Sequence, residues 1–526
     1  MKQLTASLLL LGLFLSGQAQ KNPEKYAATI TAADLKKHLT IVAGDDMQGR
    51  ETGTEGQKRA AAYIESQFKS LGLRAGNKES FQQVYPLMQD TILSSHLQIG
   101  GKEYEFGKDY MLSATTSANK NISAQKIVFV GYGIADSVYN DYTGIDVKDA
   151  IVVYALGEPR QEGQSAAPAP GGRGGFSRAD ARKMQTAISK GAAAVLVLSP
   201  RMATIDATMA ASQRRSNLYP AGRQGTGSDA LNTATISQGL FKELFGNEFA
   251  DTAWKKFTNS EKFTAADYKT VNKPVVFSCQ KSSEEKANSS NVLAVLEGTD
   301  KKDEYVFLTA HYDHLGLRNG VIYHGADDDG SGTVSVLEMA EAFAKAKAEG
   351  NGPRRTIVFM TVSGEEKGLW GSAYYGDHPL FPLEKTTVDL NTDMVGRLDP
   401  NRTNGDSTNY VYVIGDDKLS SDLKSISETA NNKYTKLELD YKYNDPKDPQ
   451  RIYFRSDHYN FARKGVPILF YFDGIHADYH RPSDTVDKIN FDVMQKRVRF
   501  IFHTAWEMAN RNDMLKRDIP LPEMSR

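Results

Sequence analysis

Cysteine, long apolar runs and charge imbalance are all scarce in this sequence, and each shortage excludes something. Of the 526 residues only Cys279 is a cysteine. One thiol cannot build an internal disulfide framework, nor a structural zinc site with two or more thiolates. A bound metal must therefore be held mainly by His, Asp and Glu. After the N-terminal segment no stretch is apolar over the ~20 residues that a membrane span needs. Lys and Arg number 64 against 65 Asp and Glu, a formal net charge of −1. That balance gives no electrostatic reason to expect nucleic acid or an anionic membrane as a partner. What is present is a 40% hydrophobic and 10% aromatic share, enough to build real cores. A chain of this length is expected to hold about two to four domains.

Met1 to Gln20 reads as a secretory signal. Lys2 is the positive start, Leu8 to Leu15 the short apolar core, and Ser16-Gly17-Gln18-Ala19 the small-residue end, so residues 1–19 are expected to be removed. No cysteine follows the apolar core, which argues against a lipoprotein anchor. The expectation is an exported protein, periplasmic or secreted, with no stable membrane anchor after cleavage. Without disulfides its stability must come from packing or bound metal.

Helical spacing is expected at Ala33 to Ile41 and Gln57 to Leu71, with a turn at Gly49 to Gly53 between them. Residues from about 100 to 280 differ in character. Lys126 to Gly131, Ala150 to Ala155 and Ala192 to Leu198 read as strands and Ala181 to Lys190 as a helix. Glu158 to Arg178 and Arg214 to Ser228 read as loops. The run Gly171 to Gly175 has no strand before it and no Lys-Ser/Thr after it, so a loop is favoured over a phosphate cradle. From about 290 strands and helices alternate. Strands are expected at Asn291 to Leu296, Tyr305 to Ala310, Arg355 to Val362, Val388 to Met394 and Pro467 to Phe472. Helices are expected at Val334 to Ala348, Lys418 to Asn431 and Phe491 to Asn510. This pattern implies an α/β domain with a largely parallel central sheet. There is no internal repeat.

Eight of the ten histidines lie at or after residue 311. His311-Tyr312-Asp313-His314 follows a buried strand, and an Asp two residues after a His can hold the ring's second nitrogen. His324 to Gly332 contains Asp327, Asp328 and Asp329 in a row, which repel one another unless a cation or water neutralises them. Glu365 and Glu366 follow the strand Arg355 to Val362. Asp393 is expected inside an apolar strand, where a carboxylate is costly unless paired or metal-bound. Tyr479-His480 lies in a turn-rich segment. Each cluster taken singly reads equally well as a polar loop, a cap or a surface pair. Together they offer two histidines and four carboxylates without sulfur, a set suited to two divalent ions sharing a carboxylate. Such a pair, about 3.5–4 Å apart, can activate a water and polarise a carbonyl.

This ordered set, His-x-Asp, Gly-Ala-Asp-Asp-Asp-Gly-Ser-Gly, Gly-Glu-Glu, Asn-x-Asp-Met and Tyr-His, resembles the co-catalytic dizinc exopeptidases, which include secreted bacterial aminopeptidases and glutamate carboxypeptidases. The resemblance spans most of residues 285 to 510. Gly49-Arg50-Glu51-Thr52-Gly53 and the helix after it resemble the start of their catalytic domains. Val128 to Gly133 and Gly144 to Lys148 resemble the protease-associated domain inserted in some members. The implied architecture is a catalytic domain of residues 20–100 and 285–526, with a mixed, mainly parallel sheet flanked by helices. A smaller, mainly-β (α+β) insert of residues 101–284 interrupts it.

Residue by residue, the resemblance implies one zinc on His311 and Asp393 and another on Glu366 and His480, with Asp328 bridging. Asp328 is preferred to Asp327 because the family's bridging Asp stands four residues before the second Gly of Ser-Gly, here Gly332. Glu365 would be the general base, Asp313 would orient His311, and Tyr479 would help stabilise the oxyanion. A cis peptide is expected between Asp328 and Asp329. His314 and His324 flank ligands and are read as lining the cleft, and His476 as a loop residue near the substrate. Ser456-Asp457-His458 reads as a helix start capped by Ser456 or Asp457. His38, His96, His378 and His503 read as structural or surface, and Cys279 as a buried small residue. The implied activity is a two-zinc aminopeptidase acting on peptides. The alternatives are a carboxypeptidase or dipeptidase on the same fold, a glutaminyl cyclase, which usually binds one zinc, and a catalytically silent receptor like the transferrin receptor. The alternative reading of the insert is a protein-binding module. Nothing in the sequence speaks to oligomeric state.

Overall fold

The structure is a computed structural model, and it describes residues 22–160, 178–222, 233–445 and 447–522. The expected signal segment, the run Gly171 to Gly175 and part of the loop at 214–228 lie outside those residues. The chain forms two compact units, Met1–Tyr85 with Asn288–Arg526, and Pro86–Ala287. The sequence reading places these breaks at 100/101 and 284/285. Residues 82–99 form one continuous strand, so no turn marks the first break.

In the first unit the central sheet is mixed and mainly parallel. Its strand order is Glu438–Asp440, Tyr410–Ile414, Ile468–Phe472, Thr386–Thr392, Lys301–His311, Arg355–Val362 and residues 292–296. Lys301–His311 runs parallel to both Arg355–Val362 and Thr386–Thr392, and the latter runs parallel to Ile468–Phe472. All eight residues of Arg355–Val362 are buried, as befits a strand covered on both faces. The period of two shows in Lys301–His311. Val306, Leu308 and Ala310 enter one core with Val336, Phe343 and Trp506, while Phe307 enters the other with Tyr375 and Phe461. The helices Ala32–Val42, Gly332–Ala348 and Phe491–Asn510 supply much of the first core. Because these neighbouring strands are parallel, His311, Val362, Thr392 and Phe472 end on the same side of the sheet, where open α/β sheets place their ligands.

Two expected elements shift. The strand expected to contain Asp393 is Thr386–Thr392, so Asp393 stands just past its end and Met394 turns to φ +59°. The helix expected from Lys418 spans Leu423–Tyr434. The helix Trp370–Asp377 and the strand Tyr410–Ile414 were not foreseen.

The unit Pro86–Ala287 is built on a parallel ladder of Lys120–Phe129, Ile151–Ala155, Ala194–Leu198 and Thr233–Ile236. Residues 269–279 and Tyr110–Leu112 add antiparallel pairs to it. Its helices include Arg178–Ser189, Gln238–Phe245 and Asn247–Thr258. Its core holds Phe129, Leu196, Phe241, Phe277 and the buried Cys279. No helix among the described residues is long and apolar enough to cross a membrane.

Candidate metal centre

The five implied ligands converge at the C-terminal ends of these strands. His311 is the last residue of its strand, and Asp393 directly follows Thr386–Thr392. Glu365 and Glu366 follow Arg355–Val362 through Ser363 and Gly364. Asp328 lies in the turn before the helix Gly332–Ala348, and the Asp328–Asp329 peptide bond is cis, as the resemblance implies. His311 Nε2 stands 3.3 Å from Asp328 Oδ1 and 3.6 Å from Asp393 Oδ1. His480 Nε2 stands 3.1 Å from both Asp328 Oδ2 and Glu366 Oε2. Ligand atoms around a tetrahedral zinc with bonds of about 2.0–2.1 Å stand roughly 3.3 Å apart. The spacing fits two such ions, with the two oxygens of Asp328 turned one to each histidine.

The three adjacent aspartates point three ways. Asp328 faces the histidines. Asp329 accepts backbone N–H bonds from His311, Gly332 and Met394 at 3.2, 2.8 and 3.1 Å, and so ties together the chain around two of the ligands. Gly332 is required for this approach, since a Cβ there would lie 2.4 Å from the Asp329 oxygens. Asp327 accepts from Gly396 N at 2.7 Å and lies 3.2 Å from His476 Nε2. Asp484 in turn accepts from the backbone N–H groups of Asp327 and Asp328, at 3.0 and 3.1 Å. It thereby joins the loop that carries His480 to the bridging residue.

The sequence motif at Gly49 to Gly53 braces the same place. The buried Arg50 guanidinium donates to the carbonyls of Tyr312, Val42, His324 and Gly325 at 2.7–2.9 Å, drawing the two acidic and histidine segments together. Thr52 Oγ1 donates to Asp313 Oδ2 at 2.6 Å, and Glu365 N donates to Asp313 Oδ1 at 3.1 Å. The expected role of Asp313 needs correction. The nearer partner of His311 Nδ1 is the Asp313 backbone carbonyl at 3.1 Å, with the carboxylate oxygen at 3.7 Å. The carboxylate accepts instead from the backbone N–H of Glu365 and the Thr52 hydroxyl.

Ser456 and Asp457 do not cap a helix with their side chains. Ser456 Oγ accepts from Asn391 Nδ2, and Asp457 Oδ1 accepts from Ser372 Oγ. Both are buried by the helix Trp370–Asp377 and the strand Thr386–Thr392, neighbours that local spacing does not reveal. His476 is not at the open cleft but buried against Asp327. His324 lies partly buried with Nδ1 3.0 Å from the Ala43 carbonyl. His38 is buried and 3.5 Å from Glu338, and His503 stacks on Tyr434 at 3.9 Å between centroids. His96 and His378 lie outside the site.

The electrostatics follow from crowding acids in a dry place. Burial pulls the His311 pKa down, but Asp393, Asp313 and Asp328 push it well above the ordinary histidine value. Burial raises Asp328, but His311 and His480 hold it well below the carboxylate range. Glu365 is pushed well above that range, first by burial and then by Asp393 and Glu366, with His311 opposing. A cleft opens here, lined by Asp328, Glu365 and Asp393. Ile452, Phe470, Phe472 and Ile475 line it as well. Tyr479 lies in the same cleft, its ring stacked on His480 and its hydroxyl accepting from Arg455 Nη2 at 3.0 Å.

Residues 291–505 match the profile of peptidase family M28. The chain is 28% identical over 235 residues to a probable leucine aminopeptidase of Arthroderma otae, covering 44% of this chain and 60% of that protein. It is 27% identical over 233 residues to aminopeptidase YwaD of Bacillus subtilis, covering 42% of this chain and 45% of the other. The matched span is thus about half the length of these relatives. In fold the chain is similar to an aminopeptidase from Aneurinibacillus sp. strain AM-1, with a TM-score of 0.51 at 19% identity over 95% of this chain and all of that one. A zinc aminopeptidase from Bacillus subtilis aligns with a TM-score of 0.50 at 18% identity, over 93% and 99%.

Proposed function

With residues 291–505 belonging to peptidase family M28, we propose that the protein is a zinc-dependent aminopeptidase that uses two ions. It would release N-terminal residues from peptides. The observation that carries this reading is Asp328, whose two oxygens face two different histidines at 3.3 and 3.1 Å. The buried oxygens Asp328 Oδ2 and Glu366 Oε1, which lack hydrogen-bond partners, fit the same reading, because two such carboxylates side by side can share a cation. His311 and Asp393 would hold one ion, Glu366 and His480 the other, and Asp328 both. Ions there supply a Lewis acid for the scissile carbonyl and make a water acidic enough to be deprotonated at neutral pH.

The residues of the chain do the rest. Glu365, fixed by its N–H bond to Asp313, takes a proton from the attacking water as the water oxygen bonds to the carbonyl carbon. It then passes that proton to the leaving nitrogen as the C–N bond breaks. The products are a free amino acid and a peptide shorter by one residue. Tyr479 stands in the cleft where a hydroxyl can donate to the developing oxyanion. The apolar side chains of Ile452, Phe470, Phe472 and Ile475 favour an apolar N-terminal residue. We read the unit Pro86–Ala287 as an inserted domain of the protease-associated kind, and the chain as exported.

The test is hydrolysis of leucyl-nitroanilide and of matched peptides. Activity is expected to need zinc and a free N-terminus, and to tolerate C-terminal amidation. Activity that survives full chelation, or cleavage of N-acetylated but not of amidated peptides, overturns the proposal.

A further inference from the structure

His314 has no assigned part in the ligand set the resemblance implies, yet it is the most deeply set imidazole near the acids. Its side chain is fully buried. Its Nδ1 lies 2.7 Å from Glu366 Oε1 and 3.8 Å from Asp328 Oδ2. Neither ring nitrogen has a hydrogen-bond partner, so the 2.7 Å approach lacks hydrogen-bond geometry. The other two atoms at this point, Asp328 Oδ2 and Glu366 Oε1, are likewise buried without hydrogen-bond partners. Three unsatisfied polar atoms of three residues therefore face one another within ligand-sharing distance. Leaving buried polar atoms unpaired costs about 1–3 kcal/mol each, so three together in one spot mark a place built for something else.

The backbone makes room for the ring. Gly325 sits at φ +56°, and a Cβ there would lie 2.4 Å from His314 Cγ and 2.2 Å from the Asp328 carbonyl oxygen. Any side chain at 325 would displace the imidazole from the acids. His480 approaches the same two carboxylates at 3.1 Å, with its ring centroid 6.0 Å from that of His314 and edge-on to it. His480 is 38% exposed and comes from a loop, whereas His314 is enclosed. Two imidazoles thus flank one carboxylate pair, one fixed and one accessible.

We infer that His314 is a further ligand of the second zinc, through Nδ1, beside Asp328, Glu366 and His480. This inference rests on the two-zinc reading above and adds one nitrogen donor to it. The fixed donor set of His314, Asp328 and Glu366 would retain the ion while the more exposed His480 adjusts as substrate enters.

The test is zinc binding by the full chain, measured by competition with a chromophoric chelator, for the wild type, His314→Ala and His314→Gln. The wild type is expected to hold two ions. His314→Ala should keep the first ion at unchanged affinity and weaken the second by more than the roughly 10–100-fold that losing a mere outer partner costs. His314→Gln, whose amide can donate to Glu366 but offers no imidazole nitrogen, should not restore it. The cobalt-loaded wild type needs no variant, and its paramagnetically shifted proton spectrum should show three exchangeable imidazole N–H signals. Two such signals, an unchanged second affinity in His314→Ala, or full rescue by His314→Gln would overturn the assignment and leave the two-zinc reading intact. A wild-type chain that takes up no zinc would instead overturn the reading on which it rests. Thermal unfolding of the metal-free variants checks that both fold.

Discussion

Two pairs of buried acids, Asp141 and Asp90 in one unit and Asp328 and Glu366 in the other, are satisfied in opposite ways. In the unit Pro86–Ala287, Asp141 accepts from the N–H groups of Tyr132 and Ile134 at 3.1 and 3.0 Å and from the Tyr268 hydroxyl at 2.9 Å. Asp90 accepts from Lys281 Nζ at 2.8 Å and from the Tyr219 hydroxyl at 2.6 Å. Both have donors on each oxygen. In the other unit Asp328 and Glu366 are as deeply buried, yet each keeps an oxygen without a donor, and those oxygens face a third unpartnered atom. Burial penalises the charge in both places. What differs is who supplies the compensation: the fold itself for Asp141 and Asp90, and in the proposed function a cation for the cluster. Glu338 is the instructive intermediate. Its Oε1 also lacks a donor, but it stands apart from the acid cluster, 3.5 Å from His38. Burial pushes its pKa up to about 8, so a proton serves there, where the proposed function gives the cluster a metal.

Each side of this comparison can be broken. The largest effect should come from Glu365→Gln, which removes the proton carrier without touching a ligand. Turnover should fall by about 10²–10⁴-fold with two zinc ions still bound. Full activity in that variant would return Glu365 to the structural acids. Next is chelation. If zinc is present at 1,000 times its Kd, its removal should cost about 4 kcal/mol of folding stability, read as a drop in Tm that added zinc reverses. A Tm indifferent to zinc would place the cluster with Asp141. Third is Asp141→Ala, which leaves the N–H groups of Tyr132 and Ile134 unpaired. It should cost roughly 1–3 kcal/mol per group while zinc content stays the same. Loss of metal in this variant would erase the distinction between the units.

The smallest effect belongs to Glu338→Gln. The raised folded pKa means that the protonated carboxyl is the stable buried form. Its stability contribution is complete below the unfolded value of about 4.5 and is lost as pH rises through about 8. The neutral variant should match the wild type below pH 4.5 and be more stable by on the order of 1 kcal/mol above pH 8, because an amide still has to be buried. An equal Tm difference at all pH values would show that Glu338 is not protonated in the fold.

The central sheet of the first unit was legible because its strands carry buried apolar stretches such as Ile357 to Met360. Arg355–Val362 and the helix Phe491–Asn510 have the bounds their patterns predict. Strand ends were less legible. Asp393 was read into the strand before it because Met394 and Val395 continue the apolar run, while the chain in fact turns there at φ +59°. Ser456 and Asp457 look like caps locally, and only the arrival of Asn391 and Ser372 from distant segments recruits their side chains. Arg50 was seen as part of a turn motif, but its job is to bond four carbonyls far along the chain.

Sequence by itself determined the kind of chemistry. A lone cysteine excluded thiolate metal, and the ordered His, Asp and Glu motifs carried the resemblance to the dizinc exopeptidases, which implies the ligands and the base. Only the tertiary structure decided how three consecutive aspartates divide their work, that the Asp313 carbonyl rather than its carboxylate is the nearer partner of His311, and that His314 meets Glu366 and Asp328. The physical reason is that hydrogen bonding and desolvation act over a few ångströms of space. Residues 314 and 366 are brought within that range by a parallel strand pair and not by the chain between them.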